Sequence, residues 1–545
     1  MAQHPLRVIP LGGLGEIGKN MMALEYRREI IVIDAGVLFP EQDMLGVDLI
    51  IPNISYLIQN RDRVRAIFIT HGHEDHTGAL PYVLRDLKVP VYAPRLALGL
   101  ISVKLKEHRN LRSAELVEAQ PGKEIKAGPF RVDYFRVAHS IPDAMGLAIR
   151  TPLGLVIHTG DFKIDHTPVD GHPVSLAELA RLCKDGVFLL LSDSTYAELP
   201  GYTPSERVVG EVLDRAIGEA QGRVMIATFA SLISRVQMII DAAFKHGRKV
   251  GTVGRSMVNN VKMAREMGYL TDPGNVLVQM SELRKLPSDR VVVVTTGSQG
   301  EPTSALVRIA NGEHREIQIV PGDTVILSST PIPGNETVVS RTIDNLFRQG
   351  AEVLYDKVAL VHVHGHASQE ELKMMLNLTR PKFFIPVHGA HRHLIAHTML
   401  AHSLGVPQEN TFVLEDGDVL ELSDAGGETV DQVPAGHVYI AGKHIWDMKS
   451  VVMRDRQTLS RDGIVVVMLT VDKAGRVVKR PAVVSSGFVD ISESTDLLER
   501  TSEAAWNAAG NGNGDITAQV KESLGSFLYK ETGRRPMILP MSVEV

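Results

Sequence analysis

At 545 residues the chain is too long for one hydrophobic core and suggests about three or four domains. Its 44% hydrophobic and 22% charged residues suit a soluble globular protein, no stretch reaches the roughly 18 uninterrupted apolar residues of a membrane span, and a net charge of −6 gives no general pull on polyanions. A single cysteine, Cys183, excludes internal disulfides and cysteine-built zinc sites, and the first residues lack a basic-then-apolar secretory pattern, so a reducing cytoplasm is expected.

Strands are predicted first at Leu6–Pro10, Met22–Tyr26, Ile30–Asp34, Val64–Thr70 and Val89–Ala93. Further strands are expected at Phe130–Val137, Leu147–Arg150 and Leu155–Thr159, and helical spacing appears at Ala79–Leu87 and Arg95–His108. Layered sheets flanked by helices are the natural packing for this mixture. Near the start, Gly13-Leu-Gly15-Glu-Ile-Gly18 fits the dinucleotide fingerprint and Asp34 ends the next apolar run. The segment between them alternates with period two at Met22, Leu24 and Tyr26, where a nucleotide-binding crossover needs a helix. A hairpin fits better, with the glycines as turn residues.

The run Thr70-His-Gly-His-Glu-Asp-His-Thr-Gly78 carries the strongest chemical signal. His71, His73, Asp75 and His76 follow an apolar strand, so they sit on a strand-terminal loop. Imidazoles and a carboxylate suit zinc, manganese or iron, and catalytic sites keep a coordination position open. Three more candidates occupy the same kind of position: His139 after Arg131–Ala138, Asp161 in His158-Thr-Gly-Asp161, and His388 in Pro386-Val-His-Gly389. Loops at the ends of strands in layered α/β folds converge on one rim, where function is usually built.

Leu199-Pro-Gly-Tyr-Thr-Pro204 reads as a linker. Beyond it, apolar runs at Val224–Phe229, Val250–Val253, Val291–Thr295, Thr324–Ser328 and Ala351–Tyr355 alternate with helical segments, clearest at Ser231–His246 and Asn335–Gln349. That rhythm predicts a parallel, doubly wound domain over 205–355. Strands at Ala359–Val363 and Phe383–Val387 and a helix at Gln369–Leu378 then bring histidine back, so the segment reads as an insertion into the first domain (1–204), which returns at 356–450. Gly426–Ala435 looks loop-like. The last part, 451–545, is a small α/β domain: a hairpin from Ile464 to Ser485 turning at Lys473-Ala-Gly475, two helices joined by the Gly510–Gly514 tract, and a final strand.

Taken together, these residues resemble the metallo-β-lactamase fold, an αββα sandwich. The resemblance implies that His71, His73 and His139 hold one metal, Asp75 and His76 the other, and that Asp161 bridges. Asp193 in Leu-Leu-Ser-Asp193, His366 in His364-Gly-His366-Ala-Ser368 and His388 resemble the three further motifs of β-CASP nucleases, with 205–355 as the β-CASP insertion and His388 completing the second metal's shell. Among those, the chain is most similar to the bacterial ribonuclease J family, through Pro10-Leu-Gly-Gly-Leu-Gly-Glu-Ile-Gly-Lys-Asn20, Thr228-Phe-Ala-Ser231 and Lys382-Phe-Phe-Ile-Pro-Val-His-Gly389. Two departures stand out: Ala390 replaces the acidic residue usual after the last motif, and His364 stands where relatives often have a small residue.

The resemblance implies hydrolysis of RNA phosphodiesters with two divalent ions, zinc or manganese. It implies 5′-to-3′ exonuclease action preferring 5′-monophosphate ends, with endonuclease activity, in mRNA decay and rRNA maturation. Asp75, Asp193 and His366 are the expected catalytic residues. Phe229, Ala230 and Ser231, with His364, Gly365, His366, Ala367 and Ser368, are expected to bind single-stranded RNA at its 5′ nucleotide. A homodimer or dimer of dimers, membership of an RNA-degradation complex, and a structural calcium ion near Asp48 and Asp447 are also implied. The competing readings are a β-CASP DNA nuclease, a thioesterase- or lactonase-type hydrolase on the same core, and a non-catalytic RNA-binding scaffold.

Overall fold

The computed structural model describes residues 4–41, 44–108, 114–301, 303–332, 335–442, 444–446, 451–473, 476–490, 494–510 and 515–545. It divides into two compact units, one of residues 1–39 and 49–437, the other of residues 40–48 and 438–545.

The larger unit contains two face-to-face sheets. The first has eight strands, in the order Gly426–Gln432, Asp418–Ser423, Leu6–Gly12, Met21–Tyr26, Glu29–Ile33, Val64–Phe68, Val91–Ala93 and Leu116–Glu118. The second has six, ordered Pro381–Val387, Val187–Asp193, Gly154–His158, Met145–Thr151, Phe130–Arg136 and Ile125–Ala127. Alternate side chains of both sheets share one buried cluster, Leu24, Ile31 and Phe68 from the first meeting Val132, Leu147 and Leu189 from the second. Helices Leu176–Leu182, Gln369–Thr379 and His391–Ser403 cover the other face of the second sheet. This is the metallo-β-lactamase sandwich.

Pairing explains how it closes. Pro381–Val387 lies parallel to Val187–Asp193, which lies parallel to Gly154–His158, although nearly 190 residues separate the first two in sequence. The chain therefore does return to its first domain after the insert. The insert is a five-stranded parallel sheet, ordered Lys249–Val253, Val291–Thr295, Val224–Ala227, Thr324–Leu327 and Glu352–Leu354. One face packs Val209, Leu213, Val236 and Ile240, the other Leu306, Ile309 and Leu346, so it is doubly wound as the alternation predicts.

Met21–Tyr26 and Glu29–Ile33 form an antiparallel hairpin, so the glycine run opens no nucleotide-binding helix. A Cβ on Gly12 would stand 2.0 Å from the Lys19 carbonyl oxygen, and one on Gly13 2.3 Å from Asn20 Oδ1, with Gly13 at φ +93°. The glycines let this loop fold back on itself.

Two expected elements differ. Ala359–Val363 forms no strand; the Val361 carbonyl accepts instead from the buried Arg235 guanidinium and the Ser328 hydroxyl, so side chains take the place of a neighbouring strand. Gly426–Gln432 is a strand, not a loop. It is the sheet's outermost strand and mostly exposed, so its sequence carries little apolar alternation.

In the smaller unit, Val477–Ser486, Ile464–Val471 and Met537–Glu544 form a sheet, and helices Thr495–Gly510 and Ile516–Thr532 pack on one face. The expected turn at Ala474-Gly475 and most of the glycine tract lie outside the described residues. Asp48 accepts a hydrogen bond from the Gly442 N–H at 2.6 Å, and Asp447 lies outside the described residues.

Candidate metal centre

Strand direction delivers the site. Phe130–Arg136, Gly154–His158, Val187–Asp193 and Pro381–Val387 all run the same way, so His139, Asp161, Asp193 and His388 emerge at one rim of the second sheet. Val64–Phe68 of the facing sheet brings the His71–His76 loop to the same place.

Two corners result. In one, His71, His73 and His139 present ring nitrogens within 4.8 Å of one another. In the other, Asp75, His76, Asp161 and His388 bring carboxylate oxygens and ring nitrogens equally close, and a third group, Asp161, Asp193, His366 and His388, shares two residues with it. Asp161 lies between: its Oδ2 is 3.1 Å from His76 Nε2, 3.7 Å from His71 Nε2 and 3.8 Å from His139 Nε2, and its Oδ1 is 3.4 Å from His388 Nδ1.

The donor chemistry fits cations. His139 Nδ1 donates to the Gly365 carbonyl at 2.7 Å, leaving Nε2 as a lone pair, and that Nε2 stands 3.2 Å from His73 Nδ1. His71 Nε2 stands 3.0 Å from the same His73 nitrogen. Three ring nitrogens facing one another cannot all be satisfied by one proton, but they suit a cation at their centre. In the second corner, buried His388 Nε2 makes no well-formed hydrogen bond, with Asp75 Oδ2 3.4 Å away. His76 donates from Nδ1 to Asp34 at 2.7 Å, which aims Nε2 inward.

Electrostatics separate the corners. Burial pushes His71 and His139 well below the usual imidazole range and His73 down to about 4, so these rings are neutral and offer lone pairs. Burial also disfavours the proton on His388, but Asp161, Asp193 and Asp75 outweigh it and raise the ring to about 10. His76 is likewise raised by Asp161, Asp75 and Asp34 against its burial. Asp75 and Asp161 ionise below the ordinary carboxylate range, their burial being overcome by the adjacent histidines.

Asp193 and His366 form a third piece. His366 Nδ1 donates to Asp193 Oδ2 at 2.8 Å, and the buried Asp193 carboxyl is held below its usual range by His366 and His388 despite burial. Asp193 lies behind His388: its Oδ1 is 3.4 Å from His388 Nδ1 and accepts from the Thr195 hydroxyl at 2.8 Å, and that hydroxyl stands 2.8 Å from the same His388 nitrogen. A Cβ on Gly365 would stand 2.5 Å from the His139 ring, so only glycine lets the His364–His366 loop approach the metal corner. His364 stacks on Tyr196 with ring centroids 3.9 Å apart, and its Nδ1 donates to the His366 carbonyl.

The remaining expected residues are placed as follows. Phe229, Ala230 and Ser231 are half-buried in the turn between Val224–Ala227 and the helix Ile233–Lys245, which starts two residues later than expected and is preceded by Leu232, not capped by Ser231. Ala367 is buried in the core. Ser368 is buried, hydrogen-bonded to Thr203 at 3.0 Å, and caps the helix Gln369–Thr379.

Residues 14–195 match the metallo-beta-lactamase superfamily, 221–346 the ribonuclease J beta-CASP domain, 351–413 the Zn-dependent metallo-hydrolase RNA specificity domain, and 451–545 the ribonuclease J C-terminal domain. The chain is 44% identical to ribonuclease J 1 of Streptococcus pyogenes serotype M3, aligning 98% of this chain with 97% of that protein. The chain belongs to the ribonuclease J family. It is 46% identical to ribonuclease J of Thermus thermophilus over 99% of this chain and 96% of that one, and 42% identical to ribonuclease J2 of Bacillus subtilis over 99% of each. A solved protein of unknown function from Enterococcus faecalis V583 shares the fold at TM-score 0.53 and 17% identity, covering 77% of this chain and 100% of that one. With this family and these clusters, the chain is a metal-dependent ribonuclease.

Sequence reasoning missed the supports. Asp34 was visible only as the carboxylate ending an apolar run beside the glycines; it accepts from His76 and from Thr70. Asn20, whose Nδ2 donates to the Asp75 carbonyl at 3.1 Å, and Thr195 carry no signal in spacing at all.

Proposed function

We propose that the chain hydrolyses RNA phosphodiesters at a two-cation centre, degrading 5′-monophosphorylated RNA from its 5′ end and also cutting internally. The observation that supports this reading best is the single carboxylate of Asp161 facing both donor corners. His71, His73 and His139 would hold one cation, Asp75, His76 and His388 the other, and Asp161 would contact both. Two divalent ions so bound, zinc or manganese, would supply an activated water and a clamp for an in-line displacement at phosphorus.

The chain's own groups would do the rest. Asp34 fixes the tautomer of His76, and the Gly365 carbonyl that of His139. His366, whose ring is fixed by Asp193, would donate to the phosphoryl oxygens or protonate the leaving oxygen. Ser231, with the backbone at Phe229 and Ala230, would meet the 5′ phosphate beside the start of a helix. Phe229 offers a face on which a base can stack without sequence reading. Ala390 places no carboxylate directly after His388 and Gly389, and His364, tied to Tyr196, would serve as a further phosphate contact.

We take the boundaries as 1–204, 205–355, 356–450 and 451–545, with work in mRNA decay and rRNA maturation in the cytoplasm, within an RNA-degradation complex. A homodimer, or a dimer of such dimers, is supported by the smaller unit's open sheet face, where Met468, Val484, Leu539 and Met541 are exposed. Purified protein, stripped with chelator and resupplied with manganese or zinc, should release labelled mononucleotides from 5′-labelled monophosphate RNA. Release from single-stranded DNA at the same rate would favour the DNA-nuclease reading instead. Ser231→Ala should lower the preference for 5′-monophosphate over 5′-hydroxyl RNA by about two- to tenfold, the worth of one hydrogen bond.

A further inference from the structure

One buried carboxylate joins three of the segments around the His366 loop. Glu371 is fully buried, and burying a carboxylate is costly unless it is hydrogen-bonded. Its Oε2 accepts from the Ser368 N–H at 2.8 Å, the reciprocal half of the cap on helix Gln369–Thr379. The same oxygen accepts from the Thr203 N–H at 2.8 Å, and Oε1 accepts from the Ile164 N–H at 2.8 Å. Neither of the latter belongs to helix capping, and a cap alone requires neither.

These three amides belong to three different parts of the site. Ile164 lies three residues beyond Asp161, on a loop where the Phe162 N–H also meets Asp193 at 3.4 Å. Thr203 lies on the crossing into the insert, and its hydroxyl donates to the His366 carbonyl at 2.7 Å. Ser368 follows His366 by two residues. His366 is thus held at its ring by Asp193 and at its carbonyl by Thr203 and His364, while Glu371 ties Thr203 and the His366 loop to the Asp161 loop.

We infer that Glu371 is a positioning residue that holds His366 in register with Asp161 and so acts on turnover, not on RNA binding. The inference rests on the reading that His366 takes part in turnover. Glu371→Gln has the same shape, but its amide group donates, so one of the two arms must face a backbone N–H that it cannot satisfy.

The test is a double-mutant cycle on a 5′-monophosphate RNA, measuring kcat and KM for the parent chain, Glu371→Gln, His366→Ala and the pair, with circular dichroism to establish folding. Glu371→Gln is expected to lower kcat about ten- to a hundredfold with KM within about twofold, the scale of a small misplacement at a reacting centre. In the His366→Ala background the same change should alter kcat less than about twofold. Equal losses in both backgrounds, or a raised KM with kcat intact, would overturn the inference while leaving the role of His366 standing. Full turnover by His366→Ala would overturn the underlying reading and this one with it. Should Glu371→Gln not fold, Thr203→Val removes only the hydroxyl. It should lower kcat several-fold and be silent beside His366→Ala, and additive losses would again count against the scheme.

Discussion

The two donor corners, a few ångströms apart, are built on opposite plans. The three-histidine corner takes two of its rings from one loop and keeps all three neutral chiefly by burial, helped by repulsion from neighbouring histidines. The mixed corner interleaves imidazoles with carboxylates, so its rings hold protons tightly while its carboxylates stay ionised. The first therefore stands ready to give lone pairs, whereas the second must exchange protons for a cation. Asp161, facing both, couples them.

Removing that coupling should have the largest effect. Asp161→Ala is expected to lower RNA hydrolysis roughly a thousandfold or more, several kcal/mol of lost charge stabilisation, with the fold retained by circular dichroism. A loss below tenfold would separate the corners from catalysis. Emptying one corner at a time comes next: His71→Ala and His388→Ala should each lower the bound metal from two ions per chain to one, read by elemental analysis after dialysis. An unchanged count in either variant would show that the ring holds no ion.

Asp34→Asn tests the support behind the mixed corner and should weaken cation binding there by about ten- to a hundredfold, with a smaller loss at the three-histidine corner, where Asp34 reaches His71 only through the Thr70 hydroxyl. The smallest effect is on protons. His388 is raised to about 10, so at neutral pH a cation entering the mixed corner displaces its proton; affinity there should climb as pH rises toward that value. His73 loses its proton above about 4, so the other corner should show no such slope near neutrality. Titration calorimetry at pH 7 in buffers of different ionisation heat reads the released protons, and release at neither corner would contradict the contrast.

The corners also differ in how far they could be read from the chain. His71, His73, Asp75 and His76 stand in one run, and their chemistry is visible as spacing. His139, Asp161 and His388 are legible only as strand ends, because parallel strands bring their termini to one rim whatever their distance in sequence. The hydrogen bond between Asp193 and His366, 173 residues apart, leaves no local trace, and neither does that from Asn20 to the Asp75 carbonyl. The named helices and most buried strands were predicted closely because burial imposes a period, although the fully buried Val187–Asp193, apolar on both faces, was not picked out. The exposed edge strand Gly426–Gln432 and the crossing Ala359–Val363 were not, since one buries too little to be patterned and the other is held by Arg235 and Ser328 side chains.

The most direct test is anomalous diffraction from crystals of the chain grown with manganese. Two peaks are expected, one among His71, His73 and His139 and the other among Asp75, His76 and His388, with Asp161 touching both. A single peak, or none at either corner, would contradict the two-cation centre.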